Sequence, residues 1–292
     1  MKARPTLYRL ATALAVCTLA LLIVGAMTGS AGAATAARAT WLRVHRHLGE
    51  AVGFLALVTV LWLLLSDAHK WLKAIGVTAL VLIGVQALLG IQNNRTPEVA
   101  VVHAIVSHVC FALLTVLALG ASPGWDTEGS TLEDRGWPSL RSLAWVTPPA
   151  VLLQIAFGAA YRHDMISSIP HIAGAFVVVL LILMTSTFVI SAIPASPVEQ
   201  RHHQGLRRGA IALMALVLAQ LILGVSAFLA RINLSGSPAP GELMAALRAT
   251  HLGTGALVLG FAVALSAGIL RRAAPAASAA GVPRLAGQGQ RG

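Results

Sequence analysis

Four histidines recur at one place in four apolar stretches. His45, His103, His171 and His251 each fall within roughly two turns of the start of a run long enough to cross a bilayer. An ionisable side chain in lipid is costly, and it is kept where it serves an ion, a proton path or a metal. Neutral imidazole is a good iron ligand, and histidines on facing helices can clamp a porphyrin between them. The residue types therefore point to haem, with these four histidines as axial ligands of the iron.

The elements that must position them follow from hydropathy. Of 292 residues, 57% are hydrophobic and 11% charged, and the mean hydropathy is +0.79; that composition excludes a soluble domain of this size. Apolar runs at about 8–28, 41–65, 71–92, 98–120, 140–160, 170–192, 208–229 and 244–270 predict an all-α polytopic membrane protein with eight transmembrane helices. Pro148 and Pro149 predict a kink or a late start in the fifth. Thr96 as N-cap and Pro97 at the first helical position fix the start of the fourth. The first run also reads as a signal peptide, because Lys2, Arg4 and Arg9 precede it and the small-residue segment Gly29 to Ala37 follows. Its length of about 20 residues exceeds a signal core and favours a retained span. The Gly/Ala/Pro-rich stretch from Ala273 to Gly292 reads as a disordered tail.

Loop charges give the orientation. Lys2, Arg4, Arg9, Lys70, Lys73, Arg135, Arg141, Arg201, Arg207, Arg208, Arg271, Arg272, Arg284 and Arg291 are two-thirds of the 21 Lys and Arg, and all lie on one side of the eight-span arrangement. Both termini are then cytoplasmic, and the four histidines lie near the extracytoplasmic surface. The net charge of +11 is a topology and lipid-headgroup signal rather than a nucleic-acid site. Cys17 and Cys110 both fall within apolar runs, and there is no Cys-x-x-Cys-His, so haem would be held noncovalently.

The chain repeats. Gln-x-x-x-Gly occurs at Gln86–Gly90, Gln154–Gly158 and Gln220–Gly224, with Leu21–Gly25 in the matching place of the first run. His-x-x-x-small occurs at His45–Gly49, His103–Ser107, His171–Ala175 and His251–Gly255. Residues four apart share a helix face, so each histidine is followed by a notch where a flat ring can lie against backbone. Small residues also serve ordinary helix packing in membranes, but four matches on alternate helices favour a cofactor. The expected organisation is two pseudo-symmetric four-helix bundles: 1–120 as an N-terminal half, a cytoplasmic loop at 121–139, 140–272 as a C-terminal half, and the tail at 273–292. An axis along the membrane normal relates the halves. His45 with His103 would clamp one pocket, and His171 with His251 the other.

Other polar residues sort around these pairs. Arg46 and Arg248 stand where guanidinium groups could bind haem propionates, or where they anchor the chain at the headgroups. His69, His202 and His203 lie on cytoplasmic loops and read as solvated. His47 and His108 fall about 200° and 140° off the clamp face and read as packing. His163, between Arg162 and Asp164, is a surface residue or a lid over the second pocket.

On His45-Arg46 with Gly49, Gln86-Ala-Leu-Leu-Gly90 before His103-Ala104, Gln154 to Gly158 followed by Arg162-His163, Pro170-His171, and Gln220 to Gly224 before His251-Leu252-Gly253, the chain resembles the haem A synthase family of cytochrome oxidase assembly proteins. The resemblance implies a noncovalent haem b on His171 and His251, with Arg248 beside it, and a substrate haem O on His45 and His103, with Arg46. It implies oxidation of a haem methyl to a formyl group, making haem A for terminal oxidases. The implied setting is the cytoplasmic (plasma) membrane, with membrane lipid, haem O or a related porphyrin, haem O synthase or oxidase assembly factors, and a second copy of the chain as partners. Family members usually carry a glutamate three residues before the histidine of the second span, and here that residue is Leu42. Glu50, the other carboxylate of that span, lies five residues past His45 and points elsewhere. Leu42 favours an alternative, a non-catalytic di-haem electron carrier or haem-handling protein. A transporter with proton- or metal-carrying histidines would need a polar path through the midplane, where the chain has few polar residues.

Overall fold

The computed structural model describes residues 4–28, 36–92, 96–125, 131–134, 136–233 and 241–275. Apolar runs in lipid must satisfy their backbone groups internally, and coiling into helices does so. The helices are α1 (Arg4–Thr28), α2 (Ala36–Leu65), α3 (Lys70–Gln92), α4 (Pro97–Ala121), α5 (Leu140–Arg162), α6 (Ser168–Ala192), α7 (Pro197–His202), α8 (Gln204–Asn233) and α9 (Gly241–Arg272). All except the six-residue α7 are long and apolar enough to cross a membrane. The protein is an all-α, multi-pass membrane protein. Exposed apolar side chains such as Phe54, Ile91, Phe176 and Ile222 cover the outside of the bundle, as a lipid-facing surface requires.

Local chemistry sets the helix starts. Thr96 Oγ1 accepts from Val99 N at 3.4 Å with Pro97 in the first turn of α4. Of the two outcomes expected of Pro148 and Pro149, the late start does not occur: α5 begins at Leu140 and continues through both prolines. Thr147 Oγ1 donates to Leu143 O at 2.7 Å and meets Thr185 Oγ1 of α6 at 2.8 Å, tying the two helices together beside the prolines.

Two closed rings of four helices result. In the first, α1, α2, α3 and α4 each touch the next, and α4 returns to α1; α5, α6, α8 and α9 close the second in the same order. With His45 set on His171, the buried residues of α2, Val52, Ala56, Thr59, Val60 and Leu63, fall one for one on those of α6, Val178, Ile182, Thr185, Ser186 and Val189. With His103 set on His251, buried Cys110, Phe111, Leu114, Leu117 and Ala121 of α4 fall on Val258, Leu259, Ala262, Leu265 and Ile269 of α9. The contact between rings obeys the same symmetry. Exchanging the halves turns the α1–α9 contact into the α5–α4 contact and leaves α4 on α9 unchanged, as a two-fold interface demands. Leu7, Ala11 and Leu14 of α1 are buried within the first ring, so this helix is an integral member of the bundle.

One sequence expectation needs correcting at the seam between the halves. Leu132–Asp134 (β1) pairs in parallel with Ala273–Pro275 (β2), so the stretch assigned to a disordered tail opens with a packed strand. Leu132 is 1% exposed and Ala273 5%, both in the second half's core. The Asp134 carboxylate accepts from Leu140 N at 2.7 Å and Arg141 N at 3.1 Å, capping α5. Arg141 Nη1 donates to Leu270 O and Ala273 O at 3.2 and 3.1 Å, satisfying carbonyls at the end of α9. The remainder of the expected tail lies outside the described residues.

Candidate functional site

Each of the four histidines rests on a glycine of the helix before it. A Cβ built on Gly25 would stand 3.1 Å from His45 Cε1, on Gly158 2.9 Å from His171 Cε1, on Gly224 3.1 Å from His251 Cε1, and on Gly90 3.6 Å from His103 Cε1. Only a residue without a side chain lets the first three rings approach so closely. These are the glycines of the Gln-x-x-x-Gly motifs, with Gly25 in the matching place of α1. The motif that marks the repeat thus builds the histidine seats. The notches expected after each histidine behave differently from one another: Gly49 faces open space, whereas Gly255 is met by Gln220 Nε2 at 3.1 Å.

The glutamines hold the same layer. Gln86 Nε2 donates to His103 O at 2.9 Å, and Gln154 Nε2 donates to His171 O at 2.7 Å while lying 3.1 Å from His171 Nδ1. Gln220 Nε2 lies 3.3 Å from His251 Nε2. Four buried polar atoms in this layer have no hydrogen-bond partner, Nδ1 of His103 and Oε1 of Gln86, Gln154 and Gln220, while the His45, His171 and His251 rings are met by the backbone of Leu21, Gln154 and Gln220. Each such atom costs about 1–3 kcal/mol. A histidine that binds a metal through one ring nitrogen carries its proton on the other and directs it to an acceptor. Imidazole rings met by backbone and unused amide oxygens in one layer suit a shell that orients axial ligands.

The second pair faces across a gap of suitable width. The His171 and His251 ring centres are 6.3 Å apart and the rings cross at 83°. A metal bound at about 2 Å by each ring nitrogen puts the two ring centres about 6 Å apart. In the first half, His45 and His103 lie within electrostatic reach of each other. Among the described residues no three of His, Cys, Asp and Glu gather as a metal site. A bare ion wants about four protein ligands, whereas haem iron needs only axial ones. The residues fit haem.

A cluster of cations caps the second pair. Arg248, one turn before His251, is joined by Arg231 from the end of α8 and Arg162 from the end of α5, each within electrostatic reach of Arg248 or of the next. Arg162 Nη2 donates to Ala26 O of α1 at 3.1 Å, bridging the two halves. Arg231 lies 3.4 Å from Asp164 and 4.7 Å above the Tyr161 ring, and Tyr161 runs nearly parallel to His171 at 6.3 Å. Three guanidinium groups around one carboxylate leave net positive charge, which suits carboxylates such as propionates. Sequence reading selected Arg248, left Arg162 beside His163, and missed Arg231. His163 closes α5 at this end; burial, helped by Arg162 and opposed by Asp164, lowers its pKa.

Other expectations are settled residue by residue. Arg46 is exposed, about 100° round the helix from His45. His108 packs as expected, 2% exposed, with Nδ1 2.7 Å from Ala104 O. His47, expected to pack, is instead exposed and lies 3.2 Å from Glu50, so that carboxylate points away from the pocket as expected. His69 and His202 are exposed. His203, expected to be solvated, is 1% exposed because it turns inward 3.7 Å from Glu199, and burial, reinforced by Arg272, lowers its pKa. Cys17 and Cys110 are free thiols.

Fold and site define a class: a membrane protein of two repeated four-helix units, each presenting two glycine-seated histidines at the same end. Residues 33–167 match the cytochrome oxidase assembly protein family, COX15-CtaA. The matched stretch contains His45 and His103 and ends just before His171. No curated protein matches the chain.

Proposed function

We propose that the protein acts as a haem A synthase, oxidising a methyl group of haem O to the formyl group of haem A in the cytoplasmic membrane, with both termini cytoplasmic. The observation that carries this reading is the fourfold seat, in which His45, His103, His171 and His251 each lie on a glycine of the preceding helix, with His171 and His251 facing each other. In this reading His171 and His251 hold a noncovalent haem b, which supplies the redox chemistry when bound. His45 and His103 hold and orient the substrate porphyrin. Arg248, with Arg231 and Arg162, takes carboxylates at the first of these haems, and the lipid-facing shell excludes water from both pockets. The family match through His45 and His103 supports the substrate half.

A specific observation favours a second reading, a di-haem electron carrier. Leu42 occupies the turn before His45, and Glu50 is engaged with His47 on the exposed side, so no carboxylate of α2 stands beside the first pocket. Co-expression with a haem O supply, followed by haem extraction and mass identification, separates the two. Haem A accumulating only with the intact chain, and lost on His45→Ala, supports the synthase. Bound haem without conversion supports the carrier.

A further inference from the structure

The internal repeat breaks at Trp71, at the end of the bundle away from the histidines. In the first half the indole of Trp71, in the first turn of α3, packs directly over Gly120 of α4, and Leu72 Cδ2 lies 2.7 Å from where a Gly120 Cβ would stand. The second half carries the same notch. Gly268 of α9 takes the place of Gly120, and Leu206 Cδ2 approaches it at the same 2.7 Å. With Leu72 set on Leu206 and Gln86 on Gln220, the residue in the place of Trp71 is Gly205. The filling indole is missing, and a cavity of about 520 Å³ opens between α4, α8 and α9. That volume lies within the range of about 300–1,000 Å³ usual for small-ligand sites.

The lining has two parts. Gly205, Gly209 and Gly268 are among its small residues, and Leu119, Trp125, Phe261 and Leu265 are among its apolar ones. His202, Arg208 and Arg272 bring positive or titratable groups to it, and among the described residues none of the lining is acidic. Arg272 Nη1 reaches over the notch, 3.8 Å from the Gly268 Cβ position, and Arg272 Nε is buried with no hydrogen-bond partner. A buried guanidinium nitrogen is costly to leave unpaired and pairs best with a charged oxygen acceptor.

We propose that this cavity binds one anionic phospholipid, with its phosphate on Arg208 and Arg272 and an acyl chain laid over the three glycines. An apolar ligand alone would fill the groove yet leave Arg272 unmatched, so charge complementarity selects the anionic lipid. Basic pockets between helices on the cytoplasmic side take such headgroups, and the Lys and Arg distribution puts this end on that side. The site lies at the opposite helix ends from the histidines and does not depend on the haem reading.

Native mass spectrometry of the full chain, delipidated in detergent and offered equimolar phosphatidylglycerol and phosphatidylcholine, tests it. The wild type retains one phosphatidylglycerol per chain in preference to phosphatidylcholine. Gly205→Trp, which supplies the filler Trp71 provides in the first half, lowers that retention about tenfold without lowering the thermal midpoint. Arg272→Gln, which leaves the groove open, abolishes the preference between the two lipids and secures the test should Gly205→Trp not fold. Equal retention of the two lipids by the wild type, retention of neither, undiminished phosphatidylglycerol on a folded Gly205→Trp, an unchanged preference in Arg272→Gln, or a co-purifying isoprenoid quinone in place of the lipid would each overturn the proposal.

Discussion

Replacing Gly158 by alanine drives a methyl group into the space that His171 occupies. The new Cβ would stand 2.9 Å from His171 Cε1 and 3.2 Å from Nδ1, where relaxed carbon contacts need about 3.5–4.0 Å. The ring must retreat, and Gln154, already bonded to the His171 backbone, limits where it can go. Overpacking of this kind costs about 1–3 kcal/mol. With no haem held the ring rotates aside, and the alanine recovers up to about 1 kcal/mol of helix propensity. The steric cost therefore falls on haem binding rather than folding, and 1–3 kcal/mol is about 5–150-fold in affinity. Gly90→Ala is the internal control, because its Cβ meets His103 at an ordinary 3.6 Å. Gly25→Ala and Gly224→Ala, both at 3.1 Å, should fall between the two. Haem transfer to a competing acceptor, followed by absorbance, gives the ranking, with thermal midpoints showing that each variant is folded. If Gly158→Ala and Gly90→Ala lose haem at the same rate, the seats do not position the ligands.

Three further outcomes follow from other parts of the molecule. Burial lowers the His203 pKa below its unfolded value near 6.5, so the unfolded chain takes up the proton first and stability falls as pH drops below about 6.5; thermal midpoints of His203→Gln should lose that dependence between pH 7 and 5.5, and an unchanged slope would place its origin elsewhere. Cysteine-accessibility labelling should find Ser167 reachable from outside and Gln204 only from the cytoplasm, and the reverse result would invert the topology; the comparable positions Asn94, Glu128 and Gly236 lie outside the described residues. Leu42→Glu puts a carboxylate one turn, about 4.5 Å along the axis, before His45 and should raise haem O conversion; a wild-type rate that it does not improve, but that Glu50→Gln abolishes, would show that Glu50 had taken over the role.

Much of the architecture was legible because lipid imposes few solutions. Eight apolar runs became eight spans, and the four histidines marked the repeat. Register within the repeat was visible in Gln-x-x-x-Gly, but its meaning was not: the glycine meets a histidine on the next helix, and periodicity along one helix does not report contacts between helices. Arg231 escaped notice for the same reason, since its partners Tyr161 and Asp164 sit far away in the chain and one helix end looks like another. His203 and Ala273 were misjudged from composition, because a polar loop residue and a Gly/Ala/Pro-rich stretch carry no trace of the Glu199 side chain or the β1 strand that receives them. The proline pair did not delay α5, and the Thr185 hydroxyl that meets Thr147 beside it lies on another span, where reading along one helix does not reach.

The central claim is that two histidine pairs form two haem pockets. Purification of the full chain after co-expression with haem synthesis, with haem-to-protein ratio, pyridine spectra and mass identification of the extracted porphyrin, tests it most directly. The wild-type chain should carry porphyrin, and the low-spin six-coordinate signal of the second pocket should be lost on His171→Ala or His251→Ala while any porphyrin on His45 and His103 keeps its own. Protein that carries no porphyrin, or a spectrum unchanged in both the His171→Ala and His251→Ala variants, would contradict it.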